Sequence, residues 1–411
     1  MRSSPLLPIF LIVAVDILGL TIMLPLLPFY AEHYGASPSV VGLLVSTYAV
    51  CQLLAGPMLG QVSDHVGRKP VLLVSQVGTF IGFIVLAYAP NLFFVFLARV
   101  IDGLTAGNLS IAQAYIADVT APKERARAFA VIGIAFGIGF LVGPGVSGYL
   151  SAHFGYHVPI LCAAALSLAS ILGTSFLLPA HPPHFAESSG EEAPVPPGGL
   201  RLRMFDWGNY FNYFRKPILG GLLIEFFLFT FAFATFTAGF ALFAERRFTW
   251  NGVPFGPKQV GYVFTYSGFL GIVVQGAMRQ GALVRRLGEV RMVTLGFFAA
   301  AVGYALLGFS FGIALLLVAA SFASFGTGIL RPALTSLITQ QVSRTEQGVV
   351  LGLNQSLLSI AQIIGPAIAG AMIDRGLLTV WALWAALIMA VALVLNRKAR
   401  VARNEAEAAA A

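Results

Sequence analysis

The sequence predicts an all-α membrane protein: twelve transmembrane helices in two pseudo-symmetric six-helix bundles. Three observations predict it. Of the 411 residues 58% are hydrophobic and only 10% charged, whereas a soluble domain carries about 25% charged residues. With so little charge the chain cannot cover a water-facing surface, and the apolar excess has to face lipid. Apolar runs of about the 20 residues that span hydrocarbon recur twelve times, and several sequence features return 221 or 222 residues later.

In order, the runs are 6–30, 39–62, 70–88, 92–116, 128–151, 158–178, 217–244, 259–280, 292–310, 313–338, 349–373 and 378–396. The break around Phe311–Gly312 is the shallowest. The first run is too long for a signal-peptide core and is read as retained. Glycine, at 44 residues, suits helices that pack closely in a bilayer. Cys51 and Cys162 fall inside apolar runs and are expected as buried free thiols, with no zinc-ligand spacing and no metal.

Positive charge sets the topology. With the N-terminus in the cytoplasm, the cytoplasmic segments hold Arg2, Arg68, Lys69, Lys123, Arg125, Arg127, Arg201, Arg203, Arg215, Lys216, Arg279, Arg285, Arg286, Arg291, Arg344, Arg397, Lys398, Arg400 and Arg403. That is 19 of the 25 Lys and Arg, against Arg246, Arg247, Lys258 and Arg375 on the other face. Both termini are therefore expected inside, in an inner cell membrane. The net charge of +8 is explained without nucleic acid.

One hydrophilic stretch, 179–216, divides the chain into bundles 1–178 and 217–411. It reads as a flexible linker, with His181 and His184 solvated, followed by an aromatic interfacial piece. The two halves repeat. Gly60 and Gly67 bracket the loop after the second run, as Gly281 and Gly288 do 221 residues later. Glu124 returns as Glu346, and Gly143-Pro144 with Gly148 as Gly365-Pro366 with Gly370, each at an offset of 222. Six helices is an even shift, so the repeats are parallel, and a solute site is expected near the midplane.

Several pieces carry chemistry. Gly60-Gln-Val-Ser-Asp64-His-Val-Gly67-Arg68-Lys69 is a basic hairpin in which Asp64 can accept from helix-end donors or pair with a cation, and Arg68 and Lys69 anchor to the cytoplasmic face. Arg99 and Asp102, at i and i+3, share one helix face inside an apolar run. Intramembrane charges usually face a cavity and mark function. Asp16 stands midway along the first run without a local cation, and a carboxylate there must find a partner or take up a proton. Glu225 raises the same question in the seventh run. The fifth run carries glycines at spacings of four around Pro144, a bare face for close packing with a bend. All six histidines fall in predicted loops, and no phosphate-binding Gly-x-x-x-x-Gly-Lys loop is present. An enzyme and ATP-driven transport are not expected.

Together these pieces resemble the major facilitator superfamily and, within it, the twelve-segment drug:proton antiporters. Gly60 to Lys69 matches the family's G-x-x-x-D-x-x-G-R-K loop. Arg99 with Gly103 resembles its fourth-segment arginine motif. Gly139-x-x-x-Gly143-Pro144-x-x-x-Gly148 resembles its antiporter motif, with Ser147 where a glycine is usual. Asp16-x-x-Gly19 followed by Pro25 resembles its first-segment motif. Tyr115-Ile-Ala-Asp118-Val-Thr, with Glu124-Arg125-Ala126-Arg127 after it, is similar to the tetracycline exporters. The chain departs from them at Gly82, where they carry an acid in the third segment, in run 292–310, which has none, and at Asp102, where glutamine is more usual.

The resemblance implies a secondary transporter that exports a small lipophilic or aromatic compound in exchange for protons by alternating access, as a monomer and without a cofactor. Asp16 is expected as the proton carrier, with Asp102 second and Arg99 as counter-charge. Gln113, Gln275, Asn354 and Gln355 are expected as polar wall residues. Asp64, Arg68, Lys69, Asp118, Arg125 and Arg127 are expected as a cytoplasmic latch, and Gly139, Gly143, Pro144 and Gly148 as the packing face. The run Phe226 to Phe236 hints at aromatic cargo, although lipid-facing phenylalanine would account for most of it. A facilitator or proton symporter importing a sugar or metabolite is the alternative.

Overall fold

The computed structural model describes residues 6–120, 125–179, 212–279, 288–342 and 346–410. The expectations for Arg2, Lys123, Glu124, residues 180–211 with His181 and His184, Gly281, Arg285, Arg286 and Arg344 lie outside these residues, as do those for the side chains of Arg125 and Arg127. Among the described residues twelve helices are long and apolar enough to cross a membrane.

The chain folds into two compact units, Met1–Tyr34 with Thr47–Phe205 and Gly35–Ser46 with Asp206–Ala411. The first unit is built on α1 (Leu6–His33), α2 (Pro38–Val66, from Thr47 onward), α3 (Arg68–Ala87), α4 (Leu92–Leu104), α5 (Asn108–Val119), α6 (Arg125–Phe154) and α7 (His157–Leu177). The second is built on α8 (Pro217–Arg247), a two-stranded hairpin, α9 (Pro257–Arg279), α10 (Glu289–Gly308), α11 (Ile313–Gln340), α12 (Gln347–Asp374) and α13 (Leu378–Ala410). The hairpin, Thr249–Trp250 paired with Val253–Pro254, turns on Asn251 and Gly252, both at positive φ, as an Asn-Gly turn favours. Cys51 and Cys162 are free thiols but half-buried rather than buried. His33, His65 and His153 sit in the last turns of α1, α2 and α6 and His157 opens α7, so four histidines belong to helix ends rather than loops.

The sequence repeat has a physical counterpart inside each unit. Helices α3 and α10 are both 20 residues long. Each starts directly after a left-handed glycine, Gly67 (φ 102°) or Gly288 (φ 72°), a conformation that an L side chain resists. Gly143 in α6 lies so close to Thr21 in α1 that a Cβ would overlap its side chain, and a Cβ at Gly365 in α12 would meet the Thr235 backbone nitrogen in α8 at 2.9 Å. Both prolines that follow stay inside their helices.

The cores differ. The first unit packs Ile9, Ile12, Val13 and Ile17 of α1 on Leu72, Ile111, Tyr115 and Ile116. The second is aromatic: Phe226, Phe229, Phe297 and Tyr304 are buried, with Phe227, Phe231, Phe233 and Phe236 packed against them. The phenylalanine run of α8 is therefore core packing rather than lipid-facing surface.

Candidate functional site

The span read from the sequence as one helix over 92–116 is broken. Helix α4 ends at Leu104 and α5 begins at Asn108. Ser75 of α3 fits the gap: its hydroxyl donates to the Thr105 carbonyl and accepts from the Gly107 N–H at 2.9 Å. A broken helix inside a bilayer survives where neighbouring side chains satisfy the freed backbone in this way. The break leaves Ala106, Asn108 and Leu109 on the wall of an open cleft in the first unit, with an empty volume of about 720 Å³.

Asp16, Arg99 and Asp102 line the same cleft, with Tyr48, Gln52 and Thr79. Arg99 and Asp102 are buried, 4% and 5% exposed. They pair through Nη1 and Oδ2 at 3.2 Å, the i, i+3 contact that the sequence spacing predicts. The Arg99 guanidinium lies over the Tyr48 ring, 5.9 Å from its centroid. Its Nε and Nη2 are buried and have no hydrogen-bond partner, and neither has Asn108 Oδ1. Asp16 is half-buried. Ser170, Gln76 and Asn108 are the polar side chains around its carboxyl, and Asp102 is the charge that it feels. Among the described residues no cation pairs with it.

Gly82 explains part of this arrangement. A Cβ there would stand 3.1 Å from the Asp102 Cβ and 3.3 Å from the Ala98 carbonyl oxygen. The room for a side chain on the third span is filled by the carboxyl-bearing residue of the fourth.

The glycine face of α6 positions Asp16 from behind. A Cβ at Gly139 would stand 2.7 Å from Ile17 Cγ2, one residue from Asp16. Gly143, Pro144 and Gly148 are buried too. A larger residue at Gly139 or Gly143 would displace α1 and the carboxyl it carries.

At the other end of α3, Arg68 contacts Asp64, donates from Nε to Asp118 at 2.8 Å and from Nη1 to the Ser63 hydroxyl at 2.7 Å. This joins α2, α3 and α5, so Asp64, Arg68 and Asp118 form one network. Lys69 does something else: its Nζ donates to the Ser175 and Leu178 carbonyls at 2.8 and 2.6 Å. It caps the C-terminus of α7, where a cation meets unsatisfied carbonyls and the negative dipole end. Gly60 lies within α2, and the turn itself rests on Gly67.

The remaining expected residues do not line this cleft. Gln113, Gln275 and Gln355 are exposed. Asn354 is buried with both amide atoms unpartnered. Glu225 is buried in the second unit and accepts from Asn396 Nδ2 at 3.0 Å, while Thr294 donates to Asn396 Oδ1 at 2.6 Å. The sequence reading missed Tyr48, Gln52, Thr79 and Asn108. The signal was available for two of them: Tyr48 and Gln52 are polar at i and i+4 in an apolar run, and share a hydrogen bond of 3.2 Å.

Comparison with known proteins bears on the whole chain. A model of the Major Facilitator Superfamily matches residues 9–312 and 255–410. The class C tetracycline resistance protein of Escherichia coli is 33% identical over 370 residues, 88% of this chain and 87% of that protein. Multidrug resistance protein 2 of Bacillus subtilis (strain 168) is 27% identical over 402 residues, 96% and 94% of the two chains. Among solved structures, the nucleoside transporter NupG superimposes with a TM-score of 0.71 at 16% identity, over 97% of this chain and 99% of that one. The human organic anion transporter MFSD10 superimposes with a TM-score of 0.67 at 23% identity, over 96% and 100%. The fold, the twelve spans and these matches agree, and the chain belongs to the major facilitator superfamily.

Proposed function

We propose that this chain exports a small lipophilic or aromatic compound in exchange for protons, with Asp16 as the proton-binding group. The observation that carries the reading is the charge inventory of the cleft. Arg99 and Asp102 neutralise one another at 3.2 Å, and Asp16 lines the same space without a cation. With Asp16 ionised the cleft holds one positive and two negative groups and attracts a cationic group. With Asp16 protonated that attraction is gone. Substrate and proton therefore compete for one carboxyl, which is what exchange requires. Relatives named for tetracycline, multidrug and quinolone resistance support export over import of a sugar or metabolite.

In this reading the Asp64–Arg68–Asp118 network is the cytoplasmic latch, with Arg125 and Arg127 assigned to it from the sequence. The buried face of Gly139, Gly143, Pro144 and Gly148 lets α1 move against α6 as the cleft changes the side that it faces. The bundles 1–178 and 217–411, an inner-membrane location with both termini cytoplasmic, and action as a monomer complete the proposal.

The test is proton release inside energised liposomes that contain the purified chain, a pH gradient and a fluorescent proton indicator, challenged with lipophilic amines and aromatic drugs. Drug-dependent proton movement in the wild type, absent in Asp16→Asn, is the expected result. If no compound moves protons while a labelled sugar or metabolite equilibrates, the chain is a facilitator and the proposal fails.

A further inference from the structure

The short hairpin between α8 and α9 carries an apolar face that the packing of the second unit leaves outside. Trp250 and Val253 stand directly opposite one another across its two strands, so their side chains share one face. They are 48% and 64% exposed. Two residues further from the turn, and therefore on the same face, come Phe248 and Phe255. Both are buried. The Phe255 N–H donates to the Phe248 carbonyl at 3.0 Å, and the two rings lie 5.5 Å apart. The base of the face is thus held in the core, and the tip is closed by the positive-φ turn at Asn251 and Gly252. Trp250 and Val253 are presented on a fixed platform.

The position of the hairpin says what meets that face. It joins the ends of two membrane spans, Ile218–Arg247 and Pro257–Met278, which puts it at the bilayer surface where α8 ends. From there α9 enters the membrane with an exposed apolar stripe, Tyr262, Phe269 and Val273, at spacings of seven and four that keep one helix face. Two side chains are too little for a second copy of the chain, because a stable interface needs about 800 Å² from each partner. They are enough for lipid. Tryptophan beside a span end is the side chain that the membrane–water boundary favours, with an apolar body and one N–H for the wet side. Lys258, in the first turn of α9, pairs with no carboxylate among the described residues and supplies the charge that a phosphate attracts. From this placement we infer that the hairpin is a membrane foot: Trp250 and Val253 insert at the boundary between the headgroups and acyl chains of the adjacent phospholipid leaflet, with Lys258 at the level of the phosphates. The foot fixes the depth at which α8 leaves the bilayer and α9 enters it. It does not depend on what the chain carries, so it stands or falls apart from the export reading.

The test is depth-dependent fluorescence quenching on the full-length chain in vesicles of phosphatidylcholine and phosphatidylglycerol. The chain has four tryptophans, and the Trp250 signal is the difference between the wild type and Trp250→Phe. Phosphatidylcholine brominated near the carbonyl end of its acyl chains should quench that signal most. Lipid brominated near the chain ends should quench it less, and aqueous acrylamide least. Val253→Asp puts a charge on the same face and should reverse the order, with acrylamide quenching most. Both substitutions change exposed side chains only, so the fold that reports the signal is kept. Acrylamide as the strongest quencher of the wild type would leave the face in water and overturn the inference. Strongest quenching by the chain-end bromines would place it too deep and overturn it too, as would bromine quenching that survives Val253→Asp. A signal that no brominated lipid reaches and that changes with the protein-to-lipid ratio would put a second copy on the face and overturn it as well.

Discussion

The two units solve the same packing problem with different chemistry. Both set a 20-residue helix behind a left-handed glycine, and both press a Gly-Pro helix against a threonine. Yet where the first unit holds the end of α3 with Tyr30 and Tyr34 hydroxyls on the Leu86 and Ala89 carbonyls, the second holds the end of α10 with Arg247. Its guanidinium donates to the Gly308 and Ser310 carbonyls and covers the Phe311 ring at 3.8 Å. Where α3 opens with Arg68 between two aspartates, α10 opens with Glu289 accepting from Ser336 and Gln340 at 2.9 Å. The first unit encloses a polar cleft with a buried ion pair. The second has an apolar crevice lined by Phe236, Phe240, Phe264 and Tyr304, with room for no more than about one water. The shared features are backbone contacts that any twelve-helix repeat needs. The differences are side-chain charges, and in the first unit three of them, Asp16, Arg99 and Asp102, line one cleft.

The largest expected effect comes from breaking the buried pair. Arg99→Gln leaves Asp102 buried without a cation, which costs about 3–5 kcal/mol, read as a fall in denaturation midpoint of the purified protein. Arg99→Gln with Asp102→Asn should recover most of the loss. If the double variant is as unstable as the single one, the pair is not what the first unit depends on.

Next, Gly143→Ala and Gly365→Ala should each destabilise by about 1–3 kcal/mol, the usual cost of overpacking. Unequal effects would break the equivalence of the two Gly–Thr contacts. Arg68→Gln should cost about 1–2 kcal/mol, because part-buried Asp118 loses a charged donor while Asp64, 54% exposed, turns to water, whereas Glu289→Gln should cost less than about 1 kcal/mol, because its partners are neutral. Comparable losses would contradict the contrast between a carboxylate network built on a cation and one built on neutral donors. The smallest effect has the opposite sign. The Tyr304 hydroxyl is buried without a partner, so Tyr304→Phe should be neutral or stabilise by up to about 1 kcal/mol. A clear loss would mean that the crevice holds polar groups in use.

Much of this was legible in the sequence because bilayer physics leaves few choices. The spans follow from length and hydropathy, the repeat from glycines that no other residue replaces well, and the Arg99–Asp102 contact from helical spacing. What escaped depends on which neighbour fills a gap. No proline marks the break at 105–107, and only Ser75 on another helix makes it tolerable. Lys69 looked like a surface anchor because the α7 carbonyls that it caps lie more than a hundred residues away. Glu225 and Asp16 looked alike as lone acids in apolar runs. The first has Asn396 against it and the second faces a cleft, and neither neighbour is visible along the chain.

That last difference carries the central claim, that proton exchange belongs to the first unit. Substrate-induced proton release, measured with a pH indicator on the purified chain in weakly buffered detergent at neutral pH, tests it directly. The wild type and Glu225→Gln should release protons when an exported compound is added, and Asp16→Asn should release none. Release that persists in Asp16→Asn and disappears in Glu225→Gln would place the exchange in the second unit and contradict the claim.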